Sequence, residues 1–213
     1  MRHLIAVLAL AACASSPAPA QRGSRGPRAA DHMAAADEHT REAEHLARWP
    51  DRFAASPVSV DNASWYRAWD TVSTELRQAR QHRTAAAQLV AAYDEACGDR
   101  TSAEVSVSPL VRYAVGGAPT QDGVLLFVVV EAGTPDQLMA ELRCHRAWMM
   151  LGRNAMESCP LDLAGLRVAA WGDATGITVE LTVADRQLVP ELQRRAAQEL
   201  EAAAQRRTAT VPR

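Results

Sequence analysis

One cluster of four side chains in this 213-residue chain carries donor atoms suited to metal, redox or nucleophilic chemistry: Cys97, Cys144, His145 and Cys159. Three of them lie within "AELRCHRAWMMLGRNAMESCPLDL". Thiolate and imidazole are the donors that zinc or copper prefers, so Cys97, Cys144, His145 and Cys159 form a candidate metal set, although the CxxC pairs of a dedicated zinc site are missing. Leu138, Leu142, His145 and Met149 follow one another at four, three and four. On a helix this puts His145 within the apolar stripe and Cys144 about 100° away, flanked by Trp148 and Leu151. Adjacent helical positions converge poorly on one ion and do not line up as nucleophile and base. The simpler chemistry is a disulfide. Closing the loop of about 15 residues between Cys144 and Cys159 would contribute roughly 3 kcal/mol. Cys97 is able to pair with either, and one of the three thiols must stay free or pair between chains. Cys144–Cys159 leads on closeness in sequence alone, with His145 then a hydrogen-bonded core histidine.

A second constellation is His32, His39, Glu42 and His45, with Glu38 nearby. On one helix, His39 and His45 sit about 120° apart. They cannot close a tight site by themselves, while Glu42 with either neighbour makes a loose one. A solvated polar face explains them best, with weak metal or pH sensitivity as the functional alternative.

The chain opens with "MRHLIAVLALAACASSPAPA". Arg2 is a positive n-region, Leu4 to Leu10 a short apolar h-region, and small Ala11 and Ala12 precede Cys13: an export signal, too short to remain as a spanning helix. Leu10-Ala11-Ala12-Cys13 resembles the lipobox of bacterial lipoproteins. The resemblance implies that Cys13 receives diacylglycerol, that cleavage falls just before it, and that further acylation (a palmitate-type chain) follows. Several chains are needed, since one anchors only marginally. With Ala14 rather than aspartate after the cysteine, the pattern implies the outer membrane, facing the periplasm. The alternative is ordinary secretion with Cys13 there by chance. Either route leads to an oxidising compartment where disulfides persist.

Composition narrows the function classes. The net charge of −2 gives no basic field for nucleic acid. All 23 basic residues are arginine, so Schiff-base and P-loop lysines are excluded. Trp49, Trp65, Trp69, Trp148 and Trp171 are able to stack on a ring-shaped ligand, but core or interface anchoring is the commoner use. No Walker loop, dinucleotide fingerprint, HExxH or GxSxG motif occurs.

These residues need elements to hold them. "ASSPAPAQRGSRGPRAA" (residues 14–30) reads as a flexible tether. Asp31 caps a first helix running to about Trp49 before Pro50, polar around most of its circumference with a thin stripe of Ala36, Ala43, Leu46 and Ala47. Such a helix is expected to dock loosely or to help an interface. A long second helix, from about Ala63 after an Asn62 cap to Cys97 with Gly98 beyond, presents Trp65, Trp69, Val72, Leu76, Ala79, Ala86, Val90 and Tyr93. It packs antiparallel on the first helix or against another chain.

From residue 104 the period becomes two. Val105, Val107, Val111, Tyr113 and Val115 read as a strand interrupted at Pro109, and "GGAPTQDG" as a turn. "VLLFVVV" reads as a central strand covered on both faces. Thr134, Pro135 and Gln137 open a helix. "LRVAAW", the turn "GDATG" and "ITVELTV" follow, with Ile177, Val179, Leu181 and Val183 on one side. A last helix from about Gln187 to Gln205, with Pro190 in its first turn, presents Leu188, Leu192 and Leu200.

The expected fold is α+β: an N-terminal helical pair, then a duplicated ββα unit forming a four-stranded, mostly antiparallel sheet covered by helices. Boundaries are signal 1–12, anchor and tether 13–30, two-helix segment 31–97, ββαββα domain 98–205 and flexible tail 206–213.

The run "CHRAWMMLGRNAMESCPL" is similar to a pattern in exported proteobacterial proteins, where Cys-His on a helix precedes Cys-Pro-Leu and two strands. Cys144, His145, Cys159, Pro160 and Leu161 occupy those places, and Cys97 matches a cysteine near the preceding helix end. The resemblance spans roughly residues 90–200 and implies no activity. The reading is a lipid-anchored periplasmic protein with a binding or structural role rather than an enzyme. It meets the membrane through its anchor, and an envelope partner or itself through Trp65 and Trp69. The alternatives are a zinc- or copper-handling lipoprotein and an enzyme of unrecognised type.

Overall fold

The computed structural model describes residues 26–48, 62–152, 158–173 and 175–210. Cys13, the signal, most of the tether, Trp49 and Pro50 lie outside the described residues. Trp65 and Trp69 lie on a described helix, but their side chains are outside the description.

The first layer is a helical hairpin. Helix α1 (Ala29–Ala47) runs antiparallel to α2 (Asn62–Cys97), His32 facing His82 while His39 faces Glu75. Buried positions repeat every seven residues on both helices: Ala29, Ala36 and Ala43 on one, Val72, Ala79 and Ala86 on the other. That is a coiled-coil seam, and its alanines let the backbones approach closely. The expectation of loose docking is therefore corrected: a thin stripe of small side chains suffices because an equally small stripe meets it. Leu76 and Val90, expected on the packed face, are exposed, since the seam follows the heptad and not the largest apolar residues.

The helix start also moves. Arg28 is the N-cap, and Asp31 sits at the third helical position, its carboxylate accepting from the Arg28 amide at 3.1 Å. Arg28, placed by sequence in the tether, is buried. At the other end, Gly98 follows α2 with a left-handed φ of 56°, as the sequence suggests.

Two short helices replace the expected strand over 105–113. Helix α3 (Ser102–Val105) is fixed by a Thr101/Glu104 capping box, and α4 (Pro109–Tyr113) by the Ser108 hydroxyl and a first-turn proline. Local capping here outweighs valine alternation. Strand β1 (Ala114–Pro119) instead uses "GGAP", the segment read as a turn. Gly117 is needed there because a Cβ would stand 2.7 Å from the Leu125 carbonyl oxygen and 3.2 Å from a Leu200 methyl.

Strand β2 (Gly123–Val128), α5 (Pro135–Met149), β3 (Leu166–Asp173), β4 (Gly176–Val183) and α6 (Val189–Thr210) complete the chain. The last helix extends through most of the expected tail. The sheet order is β1-β2-β4-β3, all antiparallel. Each hairpin thus places its second strand at the centre, the arrangement two copies of a ββα unit make about a twofold axis. Val124, Leu126 and Val128 of β2 and Ile177, Val179, Leu181 and Val183 of β4 point into one core with Leu138, Leu142 and Leu192. Fully burying each such side chain contributes about 1.5–3 kcal/mol. Among the described residues, only this face is covered. Phe127 and Trp171 stay 45% and 47% exposed on the opposite face, correcting the expectation that β2 is covered on both. Among the described residues, no helix is long and apolar enough to cross a membrane.

Candidate functional site

Helix α5 lies between the sheet and the hairpin and carries both chemistry-bearing residues. Its capping box, Thr134 with Gln137, and Pro135 set its start as the sequence indicates. Leu138, Leu142, His145 and Met149 then face inward as expected. Cys144, on the adjoining side, is fully buried against the end of α2.

There it is joined to Cys97, with S–S 2.08 Å and Cα–Cα 4.8 Å, inside the range that disulfides span. The partner favoured on sequence proximity, Cys159, is the free thiol. Nearness in sequence misleads because Cys144 and His145 point to different sides of α5: the cysteine to the hairpin, the histidine to Cys159. The metal set of Cys97, Cys144, His145 and Cys159 is corrected with it, since two of its four donors are oxidised. Among the described residues, no three His, Cys, Asp or Glu side chains converge as a metal cage requires.

His145 is a hydrogen-bonded core histidine, 1% exposed. Its Nδ1 lies 2.6 Å from the Val105 carbonyl oxygen, which can only accept, so Nδ1 carries the proton. Burial holds the ring below its usual pKa, against the pull of that hydrogen bond. The bare Nε2 therefore faces the Cys159 thiol at 3.9 Å. Burial, and then the nearby Glu199 carboxyl, push the Cys159 thiol well above its usual range. A nucleophilic cysteine needs the opposite environment, electropositive and open.

Glu199 of α6 is the functional-looking residue that sequence reading missed. It is buried, and its carboxyl faces the Ser108 hydroxyl and the Cys159 thiol. Burial raises its pKa while those two hydrogen bonds oppose the rise. Among the described residues, one carboxyl oxygen, Oε2, finds no hydrogen-bond partner. The available signal was spacing: Leu192, Ala196 and Ala203 place Glu199 on the same buried stripe of α6. His145, Cys159, Glu199 and Ser108 thus form a buried relay of donors and acceptors. It can fix side-chain positions. The apolar groove of about 690 Å³ bordered by Ala29, Met33, Ala86, Val90 and Leu151 lies on the hairpin and includes none of them.

A buried ion pair secures the start of the hairpin. Arg28 donates to Asp162 at 2.9 Å and to the Gly152 carbonyl at 3.3 Å. The Ala29 and Ala30 amides donate to the Met150 and Leu151 carbonyls. The first free N–H groups of α1 are thereby satisfied by the last turn of α5. Both chain ends of the hairpin, which lie at its open end, are thus fastened, one by this junction and the other by the disulfide.

The N-terminal histidines divide. Glu38, Glu42 and His45 are exposed, whereas His32 and His39 lie in the seam. The Nδ1 atoms of His32 and His82 are 2.9 Å apart. His39 Nδ1 lies 2.7 Å from Glu75, and its ring stacks on His82 with centroids 5.5 Å apart. Burial, then the neighbouring His32 and His39, lower the His82 pKa. The partners on α2 escaped sequence reading because they lie 50 and 36 residues away, although they fall on the same seven-residue repeat. Comparison with protein-family models, curated proteins and solved structures finds no match.

Proposed function

We propose that the chain is a lipid-anchored protein of the cell envelope, tethered through Cys13 in the outer membrane facing the periplasm, with a binding or structural role. The observation that carries the reading is the Cys97–Cys144 disulfide, which fastens the long helix to α5 and fits an oxidising compartment. It agrees with the lipobox at Leu10-Ala11-Ala12-Cys13. The burial of His145, Cys159 and Glu199 supports a non-catalytic role, because a reacting group is ordinarily met in a solvent-open cleft. What the envelope surroundings meet instead is the outer side of the hairpin and the open sheet face with Phe127 and Trp171.

The test is metabolic labelling with an alkyne fatty acid in a Gram-negative host, with membrane fractionation of the full chain and its Cys13→Ser variant. Label and outer-membrane recovery in the wild type, both lost in the variant, are expected. The same preparation, denatured without reductant, should yield one reactive thiol, Cys159. Unlabelled soluble chain, or three reactive thiols, would overturn the reading.

A further inference from the structure

We infer that the rung formed by His32 and His82 is an exchangeable site for a borderline divalent cation such as Zn²⁺, built into the seam of the helical hairpin. The inference is independent of the envelope reading and of the cysteines.

The geometry begins with the heptad. Ala29, Ala36 and Ala43 occupy one seam position on α1, and His32 and His39 the other, three residues later. On α2, Val72, Ala79 and Ala86 take the first position, and Glu75 and His82 the second. Two polar rungs result, His32 with His82 and His39 with Glu75, where a coiled coil ordinarily places apolar residues. Polar seam residues cost stability and specify register. A Glu/His rung does that alone. The imidazole pair brings an additional property.

Two Nδ1 atoms 2.9 Å apart face each other across the seam. Bonds of about 2.0–2.1 Å from each nitrogen to one ion require a separation only a few tenths of an ångström larger. The alanines above and below set the distance between backbones. His39, pinned by Glu75 at 2.7 Å, stacks on the His82 ring and holds its plane. The His82 ring is therefore oriented before an ion arrives, and its contact with His32 aligns the second ring to it. In the empty rung one Nδ1 donates to the other. On binding, the donating ring gives up its Nδ1 proton and takes one at its own Nε2 by exchange with solvent. Both Nδ1 lone pairs then face the cation, and neither ring changes charge.

Among the described residues, no third side chain closes the site. Water completes the coordination, and His32 and His82 are only partly buried, so an ion enters and leaves from solvent. This is the signature of a site that loads and releases, distinct from a structural zinc centre. Imidazole also suits copper(II), which supplies a spectroscopic probe of the same ligands.

Zn²⁺ is titrated calorimetrically into the full chain in detergent, alongside His32→Ala, His82→Ala and the control His45→Ala, an exposed histidine on the same helix. One ion per chain is expected. Removing either rung histidine should weaken binding by more than about 10-fold, the least that losing even an outer-sphere partner costs a metal site. His45→Ala should leave it unchanged. Bound Cu²⁺ should show two nitrogen ligands by electron paramagnetic resonance in the wild type and one in each rung variant. Should an alanine variant lose its helical signal, His82→Gln keeps the volume and removes the donor. Absent stoichiometric binding, binding indifferent to His82, or binding lost in His45→Ala would each overturn the inference.

Discussion

Removing the Cys97–Cys144 bond gives the sharpest test of how this chain is held together. The bond joins residues 47 apart in sequence. In the chain-entropy account, closing a loop of that length in the unfolded ensemble costs about 13.6 cal/mol/K, or about 4 kcal/mol at 25 °C. That exceeds the roughly 3 kcal/mol of the shorter Cys144–Cys159 loop and is a large share of a domain's net stability of about 5–15 kcal/mol. The cut can be made in two ways: reduction of the wild type, which deletes no atoms, and Cys97→Ala with Cys144→Ala, which leaves nothing to reoxidise. Both belong in a Cys159→Ala background, so that the remaining thiol cannot exchange during unfolding.

The assay is equilibrium urea unfolding followed by far-ultraviolet circular dichroism. With a slope of about 2 kcal/mol per molar urea, the predicted loss moves the midpoint down by about 2 M. The alanine pair should lose slightly more than reduction does, because both sulfurs are buried and leave voids. A shift below about 0.5 M in both arms would refute the reasoning: at that slope it is about 1 kcal/mol, too little for a loop of this length. It would mean that the bond is not formed, or that α2 and α5 stay together when the chain unfolds.

Three further outcomes follow from the buried polar groups and the seam. Arg28→Ala removes the guanidinium paired with the buried Asp162 carboxylate and should cost about 3–5 kcal/mol, part of it recovered by adding Asp162→Asn; equal losses in the single and double variants would contradict the ion pair. Burial raises the Glu199 pKa above the ordinary 4.5, so its contribution is full below pH 4.5 and is lost as pH rises through the folded value. Melting of Glu199→Gln relative to wild type should therefore improve from pH 4 to pH 7.5, and a pH-independent gap would refute that. Ala79→Leu, placed in a fully buried seam position, should lower stability by about 1–3 kcal/mol through overpacking, whereas the same change at exposed Ala87 should have little effect in the same thermal scan.

The ββαββα order, the alternation of β4 and the start of α5 were legible because each is written in local chemistry. Ile177, Val179, Leu181 and Val183 alternate with polar residues, and Thr134-Pro135 with Gln137 admits little but a helix N-terminus. The failures come where a distant element decides. "GGAP" has the composition of a turn, yet Gly117 is there because β2 and Leu200 of α6 press on it from far along the chain. Val105 and Val111 alternate like a strand, but Thr101 and Ser108 cap two helical turns and carry off the segment. The cysteine pairing failed for the same reason: spacing along α5 predicts which side Cys144 faces and not what stands there. Glu199 stands on a readable stripe, yet its type conceals it, because a carboxylate is not expected among leucines.

The buried polar groups are concentrated where independent parts meet. Within the sheet–helix core the contacts are apolar, and such contacts tolerate rearrangement. At the joints they are directional: Arg28 with Asp162 between the hairpin and the segment after α5, His145 with Val105 between α5 and α3, Glu199 with Ser108 and Cys159 between α6 and the loops beside α5. The seam repeats the device with its histidine and glutamate rungs, one of them on either side of Ala79 along α2. A seam of alanines alone would slide by a heptad with little loss, since Ala29, Ala36 and Ala43 are interchangeable in size. Sliding by seven residues would place His32 opposite Glu75 or His39 opposite His82, and leave one histidine facing Leu89 or the region before Val72. Register is thus carried by the polar rungs, and the two end fastenings enforce the same alignment. The pairing that could bind an ion is therefore the one that the rest of the fold holds in place.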